Sequence, residues 1–175
     1  YSGSKSPGEE LFSNSLKSQF SLESQGEKYN LKISGKYDFS GEEIEDLSID
    51  GNVTVKHNYT FSDKLNSALT FVYIDKNPAS QEVADRELKP KLDLKYKGDG
   101  YTLNLITEKR FDLDGDNYTG ENISKIINRL PEFIFKRSST AIGDTKITYS
   151  INASVGHFYE AATEEDNWRG EYILN

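Results

Sequence analysis

Apolar and polar residues alternate along most of this chain, and the alternation has a period of two. The clearest stretch is 146–157. Ile147, Tyr149, Ile151, Ala153 and Val155 fall on odd positions, against Lys146, Thr148, Ser150, Asn152 and Ser154 on even ones. A period of two puts successive side chains on opposite faces of a strand, one apolar and one wet. The pattern recurs in Leu16, Phe20 and Leu22. It recurs in Tyr29, Leu31, Ile33, Gly35, Tyr37 and Phe39, and in Val53, Val55, His57, Tyr59 and Phe61. It continues in Leu65, Leu69, Phe71 and Tyr73, where Val72 and Ile74 blur the wet face, and in Leu88, Leu92, Leu94 and Tyr96. Pro90 lacks a ladder donor and predicts an edge position or a bulge. A sixth strand spans 101–111, with Ile106 and Lys109-Arg110 marking a bulge.

Turn chemistry separates these segments at Gln25-Gly26-Glu27, Ser62-Asp63-Lys64, Lys97-Gly98-Asp99-Gly100 and Ala141-Ile142-Gly143-Asp144. Acidic loops are predicted at 41–50 and 160–167, a polar loop at 75–86, and a ninth strand from near Trp168. Ile123, Ile126, Ile127 and Leu130 recur at 3/4 spacing, which predicts one short helix near 122–129 that ends at Pro131. The expected fold is all-β: an antiparallel up-and-down meander of about nine strands, part of a β-barrel or forming one. Residues 1–14 read as a flexible tail or linker and 15–175 as the β-meander.

Composition narrows the function. The net charge is −8, which argues against a nucleic-acid partner, since that would need clustered Lys and Arg. Cysteine is absent, so disulfides and Cys-based zinc sites are excluded. No ~18-residue apolar run marks a transmembrane helix, but a membrane β-barrel needs only every second residue apolar. The start at Tyr1 and the strand beginning at the far end read as the bounds of an excerpt or a processed chain.

Candidate chemistry is thin. Asp112, Asp114 and Asp116 space carboxylates at i, i+2 and i+4, as a Ca²⁺ loop does. The glycine sits at the fourth place and Ile123 at the twelfth, so a solvated acidic loop is the plainer reading. His57 and His157 lie on apolar phases, which suits packing better than catalysis. Asn52, Asn58, Asn117, Asn122 and Asn152 head N-x-Ser/Thr triplets, as chance produces in such a composition. No nucleophile, acid and base stand together, so no enzyme activity and no cofactor is expected. Aromatics recur on the apolar phase near strand ends: Tyr29, Phe39, Tyr59, Phe61, Tyr73, Tyr96, Tyr101, Phe111, Phe158 and Tyr159. They suit either membrane-interface girdles or the core of a soluble sandwich.

Arg129-Leu130-Pro131-Glu132-Phe133, then a turn, then a long strand ending at Gly156-His157-Phe158-Tyr159, resembles the barrel of the lipopolysaccharide-assembly outer-membrane proteins (the organic-solvent-tolerance family, LptD type). Trp168-Arg169-Gly170-Glu171-Tyr172 is similar to that family's following strand. The motif-like part covers about 130–168, and no periplasmic jelly-roll domain is visible. The resemblance implies a wall segment of a barrel in the bacterial outer membrane that places lipopolysaccharide at the cell surface. Such a barrel carries out transport without chemistry, and its partners are outer-membrane lipid, a lipoprotein plug and periplasmic bridge proteins. On that view Lys146, Thr148, Ser150 and Asn152 face a polar lumen. The alternative is a soluble all-β binding module that holds a lipid or glycan against the same apolar phase.

Overall fold

The computed structural model describes residues 14–41, 47–78, 84–114, 127–161 and 163–175. They form one antiparallel sheet: β1 (Asn14–Gln25), β2 (Tyr29–Gly41), β3 (Ser48–Ser62), β4 (Leu65–Asn77), β5 (Asp85–Gly98), β6 (Tyr101–Glu108), β7 (Phe111–Asp112), β8 (Ile127–Ala141), β9 (Thr148–Glu160) and β10 (Glu165–Leu174). The order is sequential from β1 to β10, except that β7 continues the line of β6 along β5. The meander is as expected. The sheet is open, with β1 and β10 as its edges.

Several expectations need correction. The predicted sixth strand is two, because Lys109-Arg110 interrupts it, and the register shifts between Ile106 and Glu108. Pro90 is in a central strand and at no bulge: the register of β5 runs unshifted past it, and its carbonyl accepts Lys109 N–H at 3.1 Å, beside the break between β6 and β7. Of the predicted helix at 122–129, residues 122–126 lie outside the described residues, and 127–129 are strand. Pro131 sits in β8, inside a register shift between Arg129 and Glu132. Half of the acidic stretch at 160–167 is strand. Glu165, Asp166 and Asn167 pair with Glu160, Tyr159 and Phe158, which leaves only 161–164 between the two strands. An edge strand open to water tolerates those charges. The proposed tail lies outside the described residues apart from Asn14, which opens β1.

Directly paired residues share a face, so the register sorts every side chain. Leu16, Phe39 and Ile49 share one face, as do Leu22, Ile33, Val55 and Phe71, and Leu94, Leu105, Phe133 and Val155. Among the described residues, nothing forms a second layer over this apolar face. Ile106 and Ala161 are the only buried apolar residues among those described, and no large side chain is fully buried. Phe133 and Val155 are half exposed in mid-sheet, at 51% and 48%. Lateral packing is close where a glycine faces an aromatic ring. Phe20 covers Gly35, its paired neighbour, and Tyr37 covers Gly51. A Cβ at either glycine would strike that ring.

The strands also slide past one another in one direction. One pairing row joins Tyr29, Tyr59, Ser67, Leu94, Leu105, Phe133, Val155 and Gly170. Measured from that row, β2 runs on to Gly41, 12 residues away, and β4 to Asn77, 10 away. By β10 the same end, Glu165, is five residues away. The stagger is about one residue per strand. With a rise of ~3.3 Å per residue and a spacing of ~4.8 Å, that tilts the strands by roughly 35°, in the range of closed barrels. The two ends of the sheet differ. Connections 26–28, 63–64, 99–100 and 142–147 lie at one end, and the generally longer 42–47, 78–84, 113–126 and 161–164 at the other.

Candidate functional site

On the polar face, most of the ion pairs join residues of β5 to β10. Glu87 on β5 is 2% exposed. Lys89, two residues on and so on the same face, reaches it at 2.6 Å, and Arg110 also pairs with it. One row along, Lys91 meets Glu108 across β5 and β6 at 3.2 Å. The register shift in β8 brings Arg129 and Glu132 to the same face at 3.0 Å, although they are three residues apart. Arg169 on β10 pairs with Glu160 on β9.

Part of this network borders a recess of about 570 Å³. It is lined by Glu108, Arg129, Glu132, Arg169 and Glu171, with Ile127, Phe158, Ser154 and Gly170. It holds acids and bases in near balance, each guanidinium being matched by a carboxylate. Such a surface binds water and polar groups without strong preference for either sign. No residue in it has the partners of a nucleophile or of a paired acid and base.

Of the predicted lumen-facing residues, Thr148, Ser150 and Asn152 lie on the polar phase of β9, the phase of Ser154 in the recess. Ser150 exchanges backbone hydrogen bonds with Asn175 at 2.8 and 3.1 Å. Lys146 is not in the strand. It lies in the turn 142–147, which Ile142 closes with an N–H bond to the Ile147 carbonyl. Phe158, expected among the apolar aromatics, lines the polar recess instead, with the Arg169 guanidinium 5.9 Å from its ring centre.

Asp116 of the carboxylate trio lies outside the described residues. Asp112 accepts the Asp114 N–H at 3.0 Å, and Asp114 accepts the Arg86 N–H, so both brace the β5–β7 corner. No group of three or more metal-ligating side chains occurs among the described residues. The two histidines are not brought together, since β4, β5, β6 and β8 separate β3 from β9. His57 neighbours the rings of Tyr29 and Tyr59, at 6.4 and 6.2 Å, and His157 stacks on Trp168 at 5.2 Å.

The charged recess was not legible in the sequence. Its members are ordinary polar-phase residues on separate strands, and only the register places them side by side. The one local signal was the pair Arg129 and Glu132 around Pro131. The chain matches no family model, no curated protein and no solved structure.

Proposed function

We propose that this sheet is a wall of an outer-membrane β-barrel, with its apolar face toward lipid and its charged face toward a water-filled lumen. The observation that carries this reading is a single-layer, uniformly staggered sheet whose broad apolar face no described residue covers. Exposing that face to water opposes the hydrophobic effect, and a bilayer relieves it. Strands of 12 to 15 residues in β1 to β5 are long enough at this tilt to cross the ~25 Å apolar band of such barrels. Aromatics flank that band: Tyr29, Tyr59, Tyr96 and Tyr101 stand near the short turns, and Phe39, Tyr73, Phe111 and Trp168 near the longer loops. Membrane barrels place short turns on the periplasmic side and long loops outside, which orients the wall.

The sheet has nine positions in alternating direction, so β1 and β10 run the same way. Joining them directly would make a parallel pair. An all-antiparallel barrel therefore needs an odd number of further strands between them.

The cargo follows from the resemblance of Arg129–Phe133 and its continuation. The barrel would carry lipopolysaccharide to the outer leaflet without altering it, alongside a lipoprotein plug and periplasmic bridge proteins. The balanced recess, with Thr148, Ser150 and Asn152 leading to it, would hydrate a polar head group. A photoreactive residue in place of Asn152 is expected to capture lipopolysaccharide in cells, and one in place of Val53 on the apolar face to capture bulk phospholipid. Capture of lipopolysaccharide at neither position would sink the cargo assignment.

A further inference from the structure

All five arginines fall within the described residues. Arg86, Arg110, Arg129 and Arg169 each pair with a carboxylate: Asp75, Glu87, Glu132 and Glu160. Arg137 is the fifth, and among the described residues no carboxylate lies within ion-pairing distance of it. It is also on the wrong face. On β8 the apolar phase runs Phe133, Phe135, Arg137, and Arg137 pairs with Tyr101 on one side and Ile151 on the other. Its guanidinium stands 5.3 Å from the Tyr149 ring centre, and its Nε is shielded from solvent without a hydrogen-bond partner. A cation on an apolar surface loses hydration. A ring face returns only part of that, so a charge held this way calls for an anion.

Directly below it is a place for the rest of a ligand. The next two rows of the apolar face are Ala153, Phe135, Leu103, Tyr96 and Leu65, then Val155, Phe133, Leu105 and Leu94. Together they line a groove of about 450 Å³, within the ~300–1,000 Å³ of small-molecule sites. Tyr101 lies across Gly98, where a Cβ would strike its ring. Tyr96 and Phe135 stand 6.1 and 6.0 Å from it. The site is thus an apolar groove with Tyr101 and the Arg137 guanidinium in the next row of the same face, beside the short turns 99–100 and 142–147.

We propose that Arg137 and this groove bind one phospholipid of the surrounding bilayer. The anionic phosphate would meet the guanidinium, and an acyl chain would lie over Phe135, Leu103 and Leu94. A guanidinium matches a phosphate with two parallel charge-assisted hydrogen bonds. The inference rests on the reading that this face meets lipid.

The test is native mass spectrometry of the full chain mixed with phosphatidylglycerol, with diacylglycerol of the same chains as the phosphate-free comparison. The wild type is expected to retain one phosphatidylglycerol and at least tenfold less diacylglycerol. Arg137→Gln is expected to lower phosphatidylglycerol retention at least tenfold, and Lys32→Gln, on the polar face, to leave it unchanged. Should Arg137→Gln not fold, Ala153→Trp fills the groove with Arg137 intact and is expected to abolish retention. Equal retention by Arg137→Gln, equal retention of diacylglycerol, or displacement by millimolar inorganic phosphate would each overturn the proposal. If the chain is soluble without detergent, the barrel wall has failed. The same titration with dihexanoyl lipids in plain buffer then decides this site by itself.

Discussion

Val55 and Thr54 are neighbours at the middle of β3 and point to opposite faces, Val55 pairing with Phe71 and Thr54 with Val72. An arginine at each separates a lipid-facing surface from a wet one. If the apolar face meets the bilayer, Val55→Arg places a charge near the midplane, which costs about 2–4 kcal/mol in barrels of this kind. If the face meets water, the loss is that of a half-buried valine, about 1 kcal/mol, partly returned by the arginine stem. Thr54→Arg projects into solvent or lumen and changes stability by about 0.5 kcal/mol or less in either setting. With a urea slope of about 2 kcal/mol per molar, the bilayer reading puts the Val55→Arg midpoint about 1–2 M lower, and the aqueous reading about 0.5 M or less. The assay is a urea titration of the chain folded into phosphatidylcholine vesicles. It can be followed through Trp168, the only tryptophan, which is 69% exposed on the apolar face. Equal midpoints for the two variants would refute the argument that the apolar face is solvated by lipid.

Other outcomes follow from particular contacts. Glu87→Ala removes the carboxylate that Lys89 and Arg110 share and should destabilise by about 1.5–3 kcal/mol, the worth of a charge-assisted contact, measured in the same titration; a loss below 1 kcal/mol would mean water reaches the cluster freely. Gly156→Ala forces a Cβ to 3.1 Å from the Glu132 Cα and 2.8 Å from the Phe158 ring, and should cost about 1–3 kcal/mol; unchanged stability would show that the β8–β9 ladder can yield there. Lys64 donates to Asp99 at 3.2 Å between two neighbouring turns, and the hydrogen bond and charge of Asp99 raise its pKa above the ordinary 10.5. Because the folded pKa is raised, this tie is complete below the unfolded lysine's pKa and is lost as pH climbs through the folded one. In Asp99→Asn the Lys64 midpoint, followed by NMR, should fall back toward the ordinary value, and no change would contradict the contact.

The strands were legible because each carries its own evidence: a period of two survives whatever lies beside it. Turns with a fixed chemistry, such as Asp63-Lys64 and Asp99-Gly100, were legible for the same reason. Features that depend on register were not. The grouping of Glu108, Arg129, Glu132 and Arg169, the steady stagger, and the glycines under Phe20 and Tyr37 all arise between strands, where a single strand's pattern is silent. Glu165 to Asn167 misled in the opposite sense, since acidic composition reads as loop while an edge strand accepts it. Arg137 had a visible signal, a lone cation in the apolar phase Phe133, Phe135, Arg137. Its meaning came only once the other four arginines were seen to be paired.

The most direct test of the central claim is the behaviour of the whole chain with and without detergent, followed by size-exclusion chromatography and far-UV circular dichroism. A membrane-facing wall predicts a β-rich, monodisperse species in detergent or lipid and aggregation in plain buffer. A β-rich monomer in plain buffer would mean that the apolar face is covered by the chain itself, and the barrel-wall account would be wrong.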